Sequence, residues 1–321
     1  MAVKDGRKYL RQAIDSVLGQ TFGDFEFIII DDGSADDSRP IIENYADARI
    51  RLLVNRDHPG LSASLNAGLN AARGEYIARM DADDVCLPDR LEKQIHFLDQ
   101  HPHIVVLGTG IRLIDEQDKP IQDVQLPADN DLIKWQLCFL NPIAHPSAMM
   151  RAAAVRQVGG YDAELVHAQD YDLWWRLSAG NRLANLSDIL MLLRQHPGQV
   201  SQAHRSEQFE CGIKIIQKHL SSLLGHVIAE DVIRNVWTQR GPALEDALRS
   251  GRLLLEYFHK TSAGMRSGRA KNEMTQDAAS KIRAIISPFL KKPKTWYLLW
   301  RIFLMNPLLT LRFLADRVRL R

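Results

Sequence analysis

The chain has 321 residues, is 45% hydrophobic and 25% charged, and carries a formal net charge of +2. That composition belongs to a globular protein large enough for a sizeable core or two domains, and so even a charge balance argues against nucleic acid as a partner. Cys86, Cys138 and Cys211 are widely spaced, with no CxxC and no Cys/His cluster, which argues against a disulfide framework or a zinc site and fits a reducing, cytoplasmic setting.

The first thirty residues carry no apolar leader core, and no run of 18 uninterrupted apolar residues occurs, so neither a signal peptide nor a spanning helix is expected. Over residues 7–20, Tyr9, Leu10, Ala13, Ile14, Val17 and Leu18 recur at helical spacing. Gly23 breaks the pattern. Residues 25–30 form a short apolar run suited to a buried parallel strand, and it stops abruptly at Asp31-Asp32-Gly33-Ser34. A helix over 36–47, a strand over 50–54 and a helix from about Gly60 to Ala72 follow. The next strand, 75–80, is built on Tyr76, Ile77 and Met80 and ends in Asp81, Asp83 and Asp84.

This alternation predicts an α/β fold with a mostly parallel sheet and helices on both faces. Open sheets of this kind bind ligands at the C-terminal edge of the strands, so the two acidic strand ends should face one crevice. Carboxylates packed this closely repel unless a cation or donor groups offset them, and hard divalent cations such as Mg²⁺ are held by one or two carboxylates together with a substrate phosphate. Taken alone, an Asp-rich turn would read as a solvated loop.

The surrounding motifs change that reading. Lys8-Tyr9-Leu10, Ser16-Val17-Leu18-Gly19-Gln20-Thr21, Asp31-Asp32-Gly33-Ser34, Gly60-Leu61-Ser62, Asn66-Ala67-Gly68, Gly74-Glu75-Tyr76-Ile77 and Asp81-Ala82-Asp83-Asp84 stand in one order. His145-Pro146-Ser147, Gly159-Gly160-Tyr161-Asp162, Gln169-Asp170-Tyr171-Asp172-Leu173-Trp174 and Arg194-Gln195-His196 continue it. Together they resemble glycosyltransferase family 2, whose members have the GT-A fold and transfer a sugar from a nucleotide diphosphate donor. The resemblance covers residues 1–201, the expected catalytic domain.

The resemblance implies roles. Asp31 and Asp32 would contact the donor base, usually uracil, with Asn66 also on the nucleotide side. Asp81 would touch ribose or metal. Asp83 would hold the Mg²⁺ or Mn²⁺ that bridges the diphosphate, with His196 a further ligand. Arg194 lies in a segment that closes over the diphosphate. Asp170 matches the catalytic base of inverting members. The chemistry asks for the same residue types: a base within reach of the acceptor hydroxyl, and neutralisation of the departing diphosphate by a cation. Read by itself, Asp170 would cap helix 171–179, and the helix dipole there favours its ionised form. Capping and catalysis are compatible.

Other residues read more plainly. His145 fits either a contact to acceptor or phosphate or a structural hydrogen bond, Trp174 and Trp175 fit helix packing better than sugar stacking, and Arg79 is placed to pair with a carboxylate of the acidic stretch.

Two departures from the family pattern stand out. Position 169 is Gln where the family usually has Glu. Met1-Ala2-Val3-Lys4-Asp5-Gly6 leads straight into the first helix, where the family has an apolar strand, so the first strand is expected to be absent.

After Ser201 the resemblance fades. Segments 203–220, 228–238, 242–260 and 273–287 read as helices of a C-terminal region spanning 202–287. Residues 288–321 then carry eight basic side chains against the single Asp316. Aromatic and leucine residues dominate the rest, and Lys294/Arg301 and Arg312/Arg319 are each seven apart and share a helix face. This fits an amphipathic helix pair lying on an anionic membrane at its cytoplasmic face, or a helix packed on protein.

The expected function is an inverting, metal-dependent glycosyltransferase, hexosyl- or N-acetylhexosaminyl-transferring, that moves a sugar from a UDP donor to a hydroxyl of a cell-surface glycan or lipid-linked acceptor. The competing expectation is a non-catalytic family member that binds a partner or membrane. A nucleotidyltransferase is disfavoured, since no Gly-rich basic phosphate loop occurs near the N-terminus.

Overall fold

The computed structural model describes residues 1–55, 60–199, 203–265, 268–289 and 291–305. The chain divides into two compact units. One comprises residues 1–130 and 141–211, the other residues 131–140 and 212–321. Tail residues 306–321, including the Arg312/Arg319 pair, lie outside the described residues.

The first unit contains two sheets. Strands β1 (Ala2–Val3), β2 (Phe27–Asp31) and β3 (Ile50–Val54) are parallel, in that spatial order. The second sheet holds β4 (Tyr76–Ala78), β5 (Val85–Cys86), β6 (Ile104–Ile114), β7 (Pro120–Val124), β8 (Met149–Arg151) and β9 (Arg182–Arg194), in the order β4-β8-β6-β9-β5 with β7 against β6. Its β6–β9 pair is parallel and its other pairs are antiparallel. Helices α1 (Leu10–Leu18), α2 (Ser38–Glu43), α3 (Leu61–Ala71), α4 (Arg90–Gln100), α5 (Asn130–Gln136), α6 (Ala152–Gln157) and α7 (Gln169–Ser178) connect these strands.

The local sequence explains these elements. Every residue of β2 is buried, as a parallel strand covered on both faces requires. In α1, Leu10, Ala13, Ile14 and Val17 are buried; they form one helical stripe against Val3, Phe27, Ile29 and Met80. The helix is shorter than the 7–20 expected, because the amides of Tyr9 and Leu10 both turn back to the Gly6 carbonyl. The expected 36–47 helix contracts to α2, where Pro40 is accommodated in the first turn.

The strand expected to be absent is present in short form. Ala2 and Val3 pair with Ile30 and Asp31, and the Met1 amine donates to the Ile28 carbonyl at 2.9 Å. Val3 is 1% exposed, so the short strand buries one branched side chain beside β2 in addition to its backbone bonds. The amine is pushed down to about 5, by burial first and then by the nearby Arg79 cation. Among the described residues β1 pairs with β2 alone and β4 with β8 alone. A cavity of about 810 Å³ lies between, lined by Met1, Phe27, Ile28, Leu69, Tyr76 and Ile77 among others.

In the second unit, α8 (Arg205–Leu224), most of which lies there, is followed by α9 (Glu230–Thr238), α10 (Leu244–Ser262), α11 (Arg269–Ile286) and α12 (Trp296–Met305). Trp135 of α5 belongs to this unit. Its ring stacks on Tyr257 at 5.2 Å, and its Nε1 donates to Asp277 at 2.7 Å, giving a buried indole the acceptor it needs. No helix among the described residues is long and apolar enough to cross a membrane.

Candidate functional site

The turn after β1 lies between the two acidic strand ends. The Gly6 amide donates to Ser38 Oγ at 2.8 Å, and a Cβ at Gly6 would sit 3.6 Å from the Ala82 Cβ. The segments leaving β2 and β4 therefore open on one edge, as the sequence pattern requires.

At the β4 end, Asp81, Asp83 and Asp84 bring carboxylate oxygens within 4.8 Å of one another. Asp83 is raised above the ordinary carboxylate range, by burial first and then by Asp81, against the opposing hydrogen bond from His196. Asp84 is raised well above it, by burial and then by Asp81 and Asp83. Both shifts come from burial first and from the neighbouring carboxylates second. Asp81 pairs with the buried Arg79, as the sequence anticipated, and His196 Nε2 lies 3.0 Å from Asp83 Oδ2. Two half-exposed carboxylates and an imidazole, all hard or borderline donors, fit a divalent cation. Asp81, Asp83 and His196 are the residues that would hold it.

Arg194, the candidate diphosphate contact, is held by protein partners. It is 1% exposed. Its Nε donates to the Asp83 carbonyl at 2.9 Å, its Nη2 to Gln12 Oε1 at 2.7 Å and its Nη1 to the Asp115 carbonyl at 3.2 Å, and Nη1 lies 2.6 Å from Asp118 Oδ1. Its backbone amide donates to Asp84 Oδ1 at 2.9 Å, and its guanidinium stands 4.3 Å from the centre of the Tyr9 ring. The side chain thus ties the acidic turn to α1 and to the β6–β7 connection.

Asp32 and Asn66, two candidate nucleotide contacts, also have protein partners. Asp32 accepts from the Gly60 amide at 3.0 Å, Ser64 Oγ at 2.7 Å and Asn55 Nδ2 at 3.2 Å, which fixes the start of α3. Asn66 donates to the Tyr161 carbonyl at 2.8 Å and accepts from the Tyr161 amide at 2.9 Å. Asp31 is 3% exposed and accepts from the Ser34 amide at 3.0 Å.

Asp170 lies in the first turn of α7. Asn141 Nδ2 donates to its Oδ2 at 2.6 Å, and Asn141 Oδ1 accepts from the Ile143 amide at 3.3 Å. Burial raises the Asp170 carboxyl, opposed by the Tyr171 amide, by Arg79 and by Asn141. Sequence reasoning expected the helix terminus to favour the charged form; burial outweighs it. Asn141 was not foreseen as a site residue, since an Asn before Pro signals only a turn. His145 is buried and bonds Tyr161 Oη at 2.8 Å, which decides for the structural reading. Trp174 is fully buried and Trp175 nearly so, in keeping with helix packing.

The Gly159-Gly160 motif has a local cause. Both residues take left-handed φ, +83° and +72°, where glycine alone is unstrained. Their turn receives Arg176 Nη1 on the Val158 and Gly160 carbonyls at 2.8 and 2.7 Å, and Arg176 is in turn paired with the buried Asp172 at 2.7 Å. The α7 helix that carries Asp170 is anchored through this turn.

Comparison with known proteins bears on the family and the fold. The family model "Glycosyl transferase family 2" matches residues 1–159. An O-antigen biosynthesis glycosyltransferase, WbnJ of Escherichia coli, is 35% identical over 68% of this chain and 87% of its own length. The amylovoran biosynthesis glycosyltransferase AmsE of Erwinia amylovora is 33% identical over 62% of this chain and 75% of its own. S. aureus TarS 1–349 in complex with UDP superposes with a TM-score of 0.55 at 20% identity, over 88% of this chain and 87% of that one; this chain spans about half, 51%, of the longer TarS chain. A mannosyltransferase from Pyrobaculum calidifontis in complex with GDP-Man and Mn²⁺ gives 0.54 at 16% identity, over 97% of this chain and 85% of that one. At such identities the solved structures establish the fold, a GT-A architecture with helices following it.

Proposed function

The chain belongs to glycosyltransferase family 2, and from that premise we propose that it is an inverting transferase. It takes a sugar from a nucleotide diphosphate donor, UDP-linked, and places it on a hydroxyl of a cell-surface glycan or lipid-linked acceptor. The observation that carries the reading is the presence, within one unit, of the Asp81, Asp83 and Asp84 cluster and of the half-buried Asp170 carboxylate, held by Asn141 in the first turn of α7. The UDP seen with TarS and the GDP-Man and Mn²⁺ seen with the mannosyltransferase support a donor of this class and a divalent cation, Mg²⁺ or Mn²⁺.

In this reaction the Asp170 carboxylate accepts the acceptor's hydroxyl proton as the oxygen attacks the anomeric carbon. The bond from that carbon to the diphosphate breaks with inversion, and the electron pair leaves on the nucleotide diphosphate. Asp81, Asp83 and His196 would hold a divalent cation, which would supply charge neutralisation for the diphosphate. Asn141 holds the Asp170 carboxylate in one orientation and favours its ionised form. Asp31 faces the donor base. Asp32, Asn66 and Arg194 act on the nucleotide and diphosphate through the segments they fix. The basic tail, 288–321, brings the enzyme to an anionic membrane at the cytoplasmic face, where a lipid-linked acceptor resides.

Titration calorimetry with UDP tests the reading, first with Mn²⁺ and then with EDTA. Metal-dependent binding supports it, and a panel of nucleotide sugars then identifies the donor. A second reading, a non-catalytic family member, is favoured by the cavity between β1 and β4. Absence of UDP binding in both conditions, from folded protein, decides for that reading.

A further inference from the structure

Helix α12 presents two unlike faces. On the inner side Leu298 is fully buried and packs so closely on Gly251 of α10 that a Cβ there would meet Leu298 Cδ1 at 2.6 Å. Just before the helix, Thr295 is also fully buried, and its Oγ1 donates to the Lys292 carbonyl at 2.7 Å. The helix is therefore docked. On the outer side Trp296 is 66% exposed, Trp300 58% and Leu304 57%. These three are spaced by four and form one stripe along the helix, with Tyr297, 52% exposed, at its border. Four of the nine large exposed hydrophobic side chains among the described residues lie on this one helix. The other five are scattered, as isolated surface apolar residues normally are.

Basic side chains stand ahead of the stripe. Lys291, Lys292 and Lys294 are exposed just ahead of it, Arg301 donates to His259 Nε2 at 2.6 Å, and no Asp or Glu occurs from residue 288 to 315. A second copy of the same patch would set lysines against lysines across a two-fold interface, so self-association is disfavoured. Trp and Tyr beside lysines match the headgroup level of a bilayer, where amphipathic rings settle and cationic side chains meet lipid phosphate.

We propose that the outer face of α12, through Trp296, Tyr297, Trp300 and Leu304 with Lys291, Lys292 and Lys294, docks the protein on an anionic lipid surface. This deepens the membrane part of the function given above by assigning it to one described helix face, apart from residues 306–321.

The test uses the full 321-residue chain with vesicles of phosphatidylcholine alone and of phosphatidylcholine mixed with phosphatidylglycerol. The chain should co-sediment with the anionic vesicles and scarcely with the neutral ones, and salt should release it. The variant Trp296→Ser/Trp300→Ser/Leu304→Ser and the variant Lys291→Glu/Lys292→Glu/Lys294→Glu should each bind about tenfold more weakly or worse, since each basic side chain near a charged bilayer contributes measurably. All substituted side chains are exposed, and retention of the circular dichroism spectrum confirms that the variants fold. Full binding by both variants overturns the assignment to α12 while leaving a membrane role for the rest of the tail. No binding of the parent chain to anionic vesicles overturns the membrane reading as well, yet leaves UDP binding as an independent test of the transferase. A dimer that the serine variant abolishes, without vesicle binding, assigns the face to a second copy instead.

Discussion

His196 Nε2 lies 3.0 Å from Asp83 Oδ2, although the two are 113 positions apart. The strand β9 delivers one and β4 the other, and Arg194, two residues before His196, seals the join by donating to the Asp83 carbonyl. If this pair holds the cation, Asp83→Ala should abolish the difference between UDP affinity in Mn²⁺ and in EDTA, and His196→Ala should reduce it. Calorimetry reads both; an unchanged Mn²⁺ dependence in Asp83→Ala removes that residue from the cation site.

Asp170→Asn should leave UDP affinity within about twofold and lower the transfer rate by about 10²–10⁴, the usual contribution of a general base. Stability should move the other way. A folded-state pKa raised by burial means that the ionised carboxylate costs stability at neutral pH, a cost absent below the unfolded value of about 3.9. The variant should therefore melt higher at pH 7 and lose that advantage toward pH 3. Normal turnover by Asp170→Asn would refute the base assignment.

The pH dependence follows from the same shift. Transfer needs the ionised base, so the rate should fall as pH drops through the raised Asp170 value, above the ordinary carboxylate range. Asn141→Ala removes a donor that favours the charged form. The acidic limb should then move up by about one pH unit, the equivalent of one hydrogen bond of about 1.5 kcal/mol to a charged group. A lower rate with the limb unmoved would mean that Asn141 shapes the pocket without acting on the base.

Arg194→Ala should destabilise the fold by about 2–4 kcal/mol, because a fully buried side chain is removed and its part-buried acceptors lose their donor together. Arg194→Lys should recover little of this, since an ammonium cannot reach Asp83, Asp115, Asp118 and Gln12 with one planar fork. Thermal melts check both. A melt unchanged in Arg194→Ala would indicate a side chain free to meet ligand.

Gly160→Ala should cost about 1–2 kcal/mol for its left-handed φ alone. The added Cβ would also stand 2.7 Å from Asn66 Oδ1 and disturb the Asn66–Tyr161 pair. Denaturant unfolding measures the loss, and a larger effect than in Gly180→Ala, which has a left-handed φ of +83° but no atom within 4 Å, isolates the contact.

The linear sequence determined whatever depends on neighbours along the chain. The all-apolar run of β2, the stripe of α1 and the acidic residues closing β2 and β4 are local patterns, and they suffice for an α/β fold with a carboxylate-lined edge. The motif order was enough to place the chain in its family. Tertiary structure alone decided which protein partners the polar residues of those motifs meet. Asp32, Asn66 and Arg194 look alike as binding candidates in the sequence, yet their partners lie 28, 95 and more than 100 positions away, at Gly60, Tyr161 and Asp83. A buried hydrogen-bonding group must be satisfied, and whether protein or ligand satisfies it depends on long-range closure of the chain. The same holds for Asn141, silent in the sequence and 2.6 Å from Asp170 in the fold, and for α12, whose outer face is recognisable only because Leu298 shows which side is already buried.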